Sequence, residues 1–192
     1  MKKKLAVCIL LAFAGCELNN TTVGDGGLDA GAAGDGGPGA VTLSGPNAFG
    51  DAGAFELHLF DSQTAAEVGY EVDITNTGMS CGALEALHGA RAPGEFEFII
   101  IKVYGTGVSS PPPVGSYQLV TQVPASGYAA GLGWGIAYPD GGQSAVFEAS
   151  DGNLNLTVSS DQEVQGSFQA TVPDQNQQFT ELSGTFDAPF CP

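Results

Sequence analysis

Period-two alternation of apolar and polar residues, repeated in segment after segment from Val41 to Ala188, is the feature that most limits what this chain can fold into. Phe55, Leu57 and Leu59 alternate with Glu56 and His58, and Val68, Tyr70, Val72 and Ile74 alternate with Gly69, Glu71 and Asp73. Phe96 and Phe98 alternate with Glu95 and Glu97, then run into Ile99-Ile100-Ile101. Tyr117, Leu119 and Thr121 follow, then a long segment from Tyr128 to Tyr138, then Phe147. Leu154, Leu156 and Val158 mark a further segment; Val164, Phe168 and Ala170 the next; Leu182, Phe186 and Ala188 the last. Successive side chains of a strand point to opposite faces, so this pattern predicts half-buried strands with one face on a core. Pro139-Asp140-Gly141-Gly142, Asp151-Gly152, Ser160-Asp161 and Pro173-Asp174-Gln175-Asn176 supply turn chemistry between the later segments. The short spacings suit hairpins of about nine or ten strands rather than crossover helices. Only Ala83 to His88 reads as helical, for one or two turns. The expected fold is therefore all-β: an antiparallel β-sandwich, with a partly closed β-barrel as the second choice, forming a single domain over residues 41–192.

The N-terminal stretch reads as an address. Lys2, Lys3 and Lys4 precede an apolar run from Leu5 to Ala14. A helix of that length spans about 15 Å, half a bilayer core, so residues 1–15 read as a signal peptide and not as a membrane span. The run ends in Phe13-Ala14-Gly15-Cys16. This resembles the lipobox of bacterial lipoproteins, in which small residues precede a Cys that receives diacylglycerol and becomes the mature N-terminus; Phe13 stands where Leu is usual. The resemblance implies a lipidated Cys16 and attachment to a membrane through acyl chains. Glu17 differs from the Asp that commonly retains lipoproteins at the inner membrane, so the resemblance implies the outer membrane of a cell envelope. The alternative is ordinary cleavage after Ala12-Phe13-Ala14 and secretion. That would leave Cys16, Cys81 and Cys191, an odd set for an oxidising compartment, whereas lipidation leaves an even pair. Neither Cys81 nor Cys191 sits in a C-x-x-C, and the two are expected to form a structural disulfide.

Residues 16–40 are dominated by Gly, Asp and Ala, and only Leu18, Val23 and Leu28 could seek a core. Such a segment cannot offset its ordering entropy and is expected to act as a flexible tether spanning about 25–30 Å. Its Gly24-Asp25-Gly26-Gly27 and Gly34-Asp35-Gly36-Gly37 near-repeat lacks the Glu spacing of a calcium-binding hand. Charge limits the partners. The chain has 5 Lys+Arg against 21 Asp+Glu, and the residues beyond the leader keep only Arg91 and Lys102. Nucleic acid is repelled by such a surface, and no polybasic patch exists to bind anionic headgroups.

The second half carries Val114-Gly115-Ser116-Tyr117-Gln118-Leu119, the segment Phe147 to Thr157 around Asp151-Gly152, and the pair Gly166-Ser167-Phe168 and Gly184-Thr185-Phe186, ending in Cys191. This order resembles a broad group of exported β-rich bacterial lipoproteins of unknown function. The resemblance covers residues 110–192 and implies an extracytoplasmic β-module without supplying catalytic residues. Each Gly-Ser/Thr-Phe lets an aromatic ring cover a glycine on a neighbouring strand.

No constellation points to catalysis. Gly78-Met79-Ser80-Cys81-Gly82 formally matches G-x-S-x-G, but a nucleophile elbow needs a parallel α/β sheet and a distant His and acid, whereas His88 follows Ser80 closely with Glu85 as the one acid between them. His58 and His88 lack ligand spacing for zinc, so no metal or other cofactor is assigned. The carboxylate pairs Glu95/Glu97 and Glu71/Asp73, with Glu56, fit a solvated sheet face better than a glycosidase pair. The segment Tyr128–Tyr138 has one large face, including Tyr128, Trp134 and Tyr138, and one nearly bare face of Ala129, Gly131, Gly133, Gly135 and Ala137. The large face is expected in the core. A groove over the glycines, flanked by Tyr128, Trp134 and Tyr138, is the alternative, holding a sugar or a peptide strand. The expected function is that of a membrane-anchored exported lipoprotein with a non-enzymatic structural or interaction domain. A carbohydrate- or peptide-binding module is the alternative, and a secreted hydrolase a distant third.

Overall fold

The structure is a computed structural model describing residues 38–61, 66–76, 81, 96–108, 110–121, 126–137, 145–174 and 176–191. The leader, Cys16 and nearly all of the tether, the helical stretch at 83–88, Glu95, Tyr138 and the turn at 139–142 lie outside the described residues. Ten strands make up the described chain: β1 (Gly39–Ser44), β2 (Gly53–Asp61), β3 (Ala66–Thr75), β4 (Phe96–Thr106), β5 (Gly115–Gln118), β6 (Gly127–Ala137), β7 (Ala145–Glu148), β8 (Asp151–Ser159), β9 (Glu163–Pro173) and β10 (Phe179–Pro189). They form one antiparallel sheet in the order β5-β8-β9-β10-β1-β2-β3-β4-β6-β7. The all-β antiparallel expectation holds. β1 begins at Gly39, already inside the segment read as tether.

The sheet curls because β1 divides its pairing. Gly39 and Ala40 pair with Ala54 and Gly53 of β2, while Val41–Ser44 pair with β10. A strand that serves two sheet directions makes a corner. Further contacts draw the sheet round. Val120 N–H donates to Ala130 C=O at 2.8 Å, beside a parallel bridge between Leu119 and Ala130, and Ser150 N–H donates to Thr171 C=O at 2.9 Å. On the other side Cys191 N–H donates to Glu56 C=O at 2.8 Å, beside a bridge between Glu56 and Phe190. The result is a half-barrel, between the sandwich and the partly closed barrel expected from the alternation.

The concave face holds one core. Tyr70, Val72 and Ile74 of β3, Ile99, Ile101 and Val103 of β4, and Ala130, Leu132, Trp134 and Ile136 of β6 meet Leu154, Leu156, Val164, Phe168, Val172, Leu182 and Phe186 of the other half. Two phases differ from the sequence reading. On β2 the core side takes Ala54 and Glu56, which pair with Ile74 and Val72, while Phe55 is buried on the convex face with Cys191 and Cys81. On β4 the isoleucines at 99 and 101 enter the core, and Phe98 takes the opposite face. Alternation sets a period and leaves the phase open where both faces are covered.

The paired Gly-Ser/Thr-Phe segments interlock as the residues imply. Phe168 stands opposite Gly184 and Phe186 opposite Gly166 across the β9–β10 ladder. A Cβ on Gly184 would lie 2.6 Å from Thr42 O and 2.9 Å from Phe168 Cζ; one on Gly166 would lie 2.6 Å from Asn155 O and 3.0 Å from Phe186 Cζ. Gly184→Val is therefore expected to cost about 1–3 kcal/mol through overpacking against backbone, read as a lower urea midpoint at unchanged slope.

The turns match their residues in part. Ser160-Asp161 joins β8 to β9, with Ser160 N–H donating to Glu163 C=O at 3.2 Å. Asp174 Oδ1 accepts from the N–H groups of Asn176 and Gln178 at 2.8 Å each, the Asx geometry that turns β9 into β10. Asp151-Gly152 is not a turn: both residues belong to β8, and Gly152 pairs with Ala170 at φ 144°. A Cβ there would lie 2.2 Å from Gln169 O, so the glycine permits close strand approach.

Candidate functional site

β6 brings the two faces of one strand to two fates. Its large side chains enter the core: Trp134 is only 3% exposed, and its ring stacks on Phe147 with centroids 5.3 Å apart. Its bare side faces outward. The aromatic face is therefore not the groove face, and Trp134 cannot stack on a ligand there. Tyr128 is half-buried, and its hydroxyl meets Ser110 Oγ at 2.7 Å and donates to Ser110 C=O at 2.9 Å. Tyr117 likewise donates to Pro113 C=O, and Ser159 Oγ donates to Pro112 C=O at 2.6 Å and lies 3.3 Å from the Tyr70 hydroxyl. These hydroxyls fasten the Ser110–Pro113 segment at one end of the half-barrel. Burial raises the Tyr117 phenol above its ordinary pKa, with a smaller contribution from Tyr128 and Tyr70.

A groove lies over the glycines. The edge of β6 that faces away from β4 changes partner along its length: Val120 occupies it at Ala130, while Ala149 N–H donates to Leu132 C=O at 2.8 Å and β7 pairs from Gly133 onward. Two segments sharing one edge diverge at the changeover, and the glycines beneath have no side chain to fill the gap. Among the described residues, Gly131, Leu132 and Gly133 form the floor, Ile100 and Lys102 one wall, Val146, Glu148 and Ala149 the other, and Val120 and Thr121 the end. The cavity is about 50 Å³.

The face around this groove is not the solvated carboxylate face expected from the sequence. Glu71 and Asp73 are only 3% and 5% exposed, and Glu56 is fully buried on the core side. Glu71 sits directly opposite Lys102 in the β3–β4 ladder, and its Oε2 lies 2.6 Å from Lys102 Nζ. A buried charge needs such a partner because leaving water is costly. Lys102→Met is expected to lower stability by about 1–3 kcal/mol, because it leaves a buried carboxylate without its cation; chemical denaturation measures this. The double variant Lys102→Met/Glu71→Leu should recover much of the loss.

The remaining catalytic candidates, Ser80 and His88, lie outside the described residues, as does the side chain of His58. Among the described residues no group of three or more His, Cys, Asp or Glu side chains could hold a metal ion, and no helix is long and apolar enough to cross a membrane. Cys81 and Cys191 are bonded, with Cα atoms 5.5 Å apart. Sequence reasoning did not find the Lys102–Glu71 pair or the groove walls, because both depend on strand register. No family model, curated protein or solved structure matches the chain.

Proposed function

We propose that this chain is an exported lipoprotein, anchored through Cys16, whose β-domain is a non-enzymatic interaction module held away from the membrane by the Gly/Asp/Ala-rich segment. The observation that carries this reading is the apolar leader closed by Ala14-Gly15-Cys16. The Cys81–Cys191 bridge supports it, since such bonds persist in oxidising compartments. So does the glycine-floored groove on the convex face, which offers a docking point.

Processing gives the test. Membrane-extracted protein is expected to have the mass of a chain starting at Cys16 with acyl groups added. Cys16→Ser should lose the acyl mass, and copies from which the leader has been removed should be soluble, because beyond the leader only Arg91 and Lys102 are basic. Soluble wild-type protein with an unmodified Gly15 at its N-terminus would overturn the anchor and leave secretion.

A further inference from the structure

We propose that the groove over Gly131 and Gly133 receives one aliphatic side chain of an extended, positively charged protein segment. This rests on reading the domain as an interaction module and names the chemistry of its partner.

Size selects the inserted group. A cavity of about 50 Å³ holds a branched aliphatic side chain, whereas sites for drug-sized ligands run to roughly 300–1,000 Å³. The walls select its character. Ile100, Val120 and Val146 are aliphatic, and the floor has no Cβ at Gly131 or Gly133, so an incoming side chain can approach the sheet backbone. A sugar would want an open ring to stack on. Trp134 is turned into the core behind the floor, and the Tyr128 hydroxyl is bonded to Ser110.

Charge selects the flanking residues. Lys102 is the only Lys or Arg among the described residues, and Glu71 already holds it. Glu148 stands on the opposite wall, and the chain as a whole carries 21 acidic residues. An anionic segment meets repulsion from this field, while a cationic one is steered in and gains Glu148 as a partner at the rim.

Intact ¹⁵N-labelled protein titrated with acetyl-Lys-Val-Lys-amide, acetyl-Glu-Val-Glu-amide and acetyl-Lys-Gly-Lys-amide tests the proposal. Saturable shifts of the Gly131, Gly133 and Val146 amides are expected with the first peptide, and binding about tenfold weaker or worse with the other two. Raising salt from about 0.05 to about 0.5 M should weaken the first by a similar factor. Gly133→Val should abolish the shifts while the β8–β10 amides keep their positions, since its Cβ would meet only the Val146 side chain within 3.1 Å. Glu148→Lys, which leaves the floor intact, should weaken the cationic peptide and spare its salt-insensitive remainder. The proposal is overturned by absent or non-saturable shifts, by equal binding of the acidic or glycine peptide, by unchanged binding in Gly133→Val, or by maltotriose shifting the same amides in place of the peptide. Its outcome is separable from the anchor: an unlipidated chain that still binds the cationic peptide retains the groove, and a lipidated chain that does not loses it.

Discussion

Trp134→Ala is expected to cost about 3–5 kcal/mol and to leave much of the domain unfolded under mild conditions. The ring lies in a continuous inner row: Ala54 pairs with Ile74, Ile74 with Ile99, Ile99 with Trp134, and Trp134 with Phe147. All of these contribute to one core, and Trp134 touches its stacked neighbour Phe147 as well. Removing the indole opens a cavity in a wall whose backbone is rich in glycine and cannot supply side chains to fill it. A domain with a typical stability of 5–15 kcal/mol keeps little reserve after such a loss. Trp134→Phe separates volume from polarity. The indole Nε1 is buried and has no hydrogen-bond acceptor among the described residues. A phenyl ring removes that unsatisfied donor, so its cost should be well below that of alanine. Urea midpoints of the three proteins decide this, and an alanine variant as stable as the wild type would refute the burial argument.

The double variant Cys81→Ser/Cys191→Ser should lose about 4–5 kcal/mol, because the unfolded chain regains the freedom of a loop whose ends are 110 residues apart. Cys191 is 3% exposed and packs with Cys81 against Phe55, so loss of the sulfurs also loosens the convex face of β2. Differential scanning calorimetry of the oxidised, reduced and serine forms measures the effect. Equal melting temperatures for oxidised and serine forms would show that the bond constrains nothing the fold does not already hold.

The strands were legible because alternation and turn residues speak locally. Leu154, Leu156 and Val164 go where their spacing sends them, and the two Gly-Ser/Thr-Phe segments find each other through complementary shape. Phase was not legible where both faces are buried. Phe55 and Glu56 exchange the sides that hydrophobicity alone would assign, because the convex face of β2 is also covered, in part by the disulfide. Glu71 and Asp73 failed for a related reason. An acid every second residue looks the same whether the outer face meets water or a covering layer, and only register reveals that Lys102 stands opposite Glu71. The groove was legible as a bare glycine face. Its walls were not, since Val120 and Val146 reach it through a changeover of partners along one strand edge.

The divided pairing of β1 bears on how the domain carries load. The strand nearest the N-terminal segment is also the seam between the two halves, and on the β2 side it holds by only Gly39 and Ala40. Were the chain anchored through Cys16 as proposed, tension drawn through the tether would enter there and peel those pairs before it sheared Val41–Ser44 from β10. Opening at that point would loosen the seam between the halves, where the Glu56–Phe190 bridge and the hydrogen bond from Cys191 N–H to Glu56 C=O remain. The covalent link between Cys81, beyond β3, and Cys191, beyond β10, spans the same seam without passing through β1. The bond thus acts as a mechanical stay, keeping the halves together when the strand between them yields.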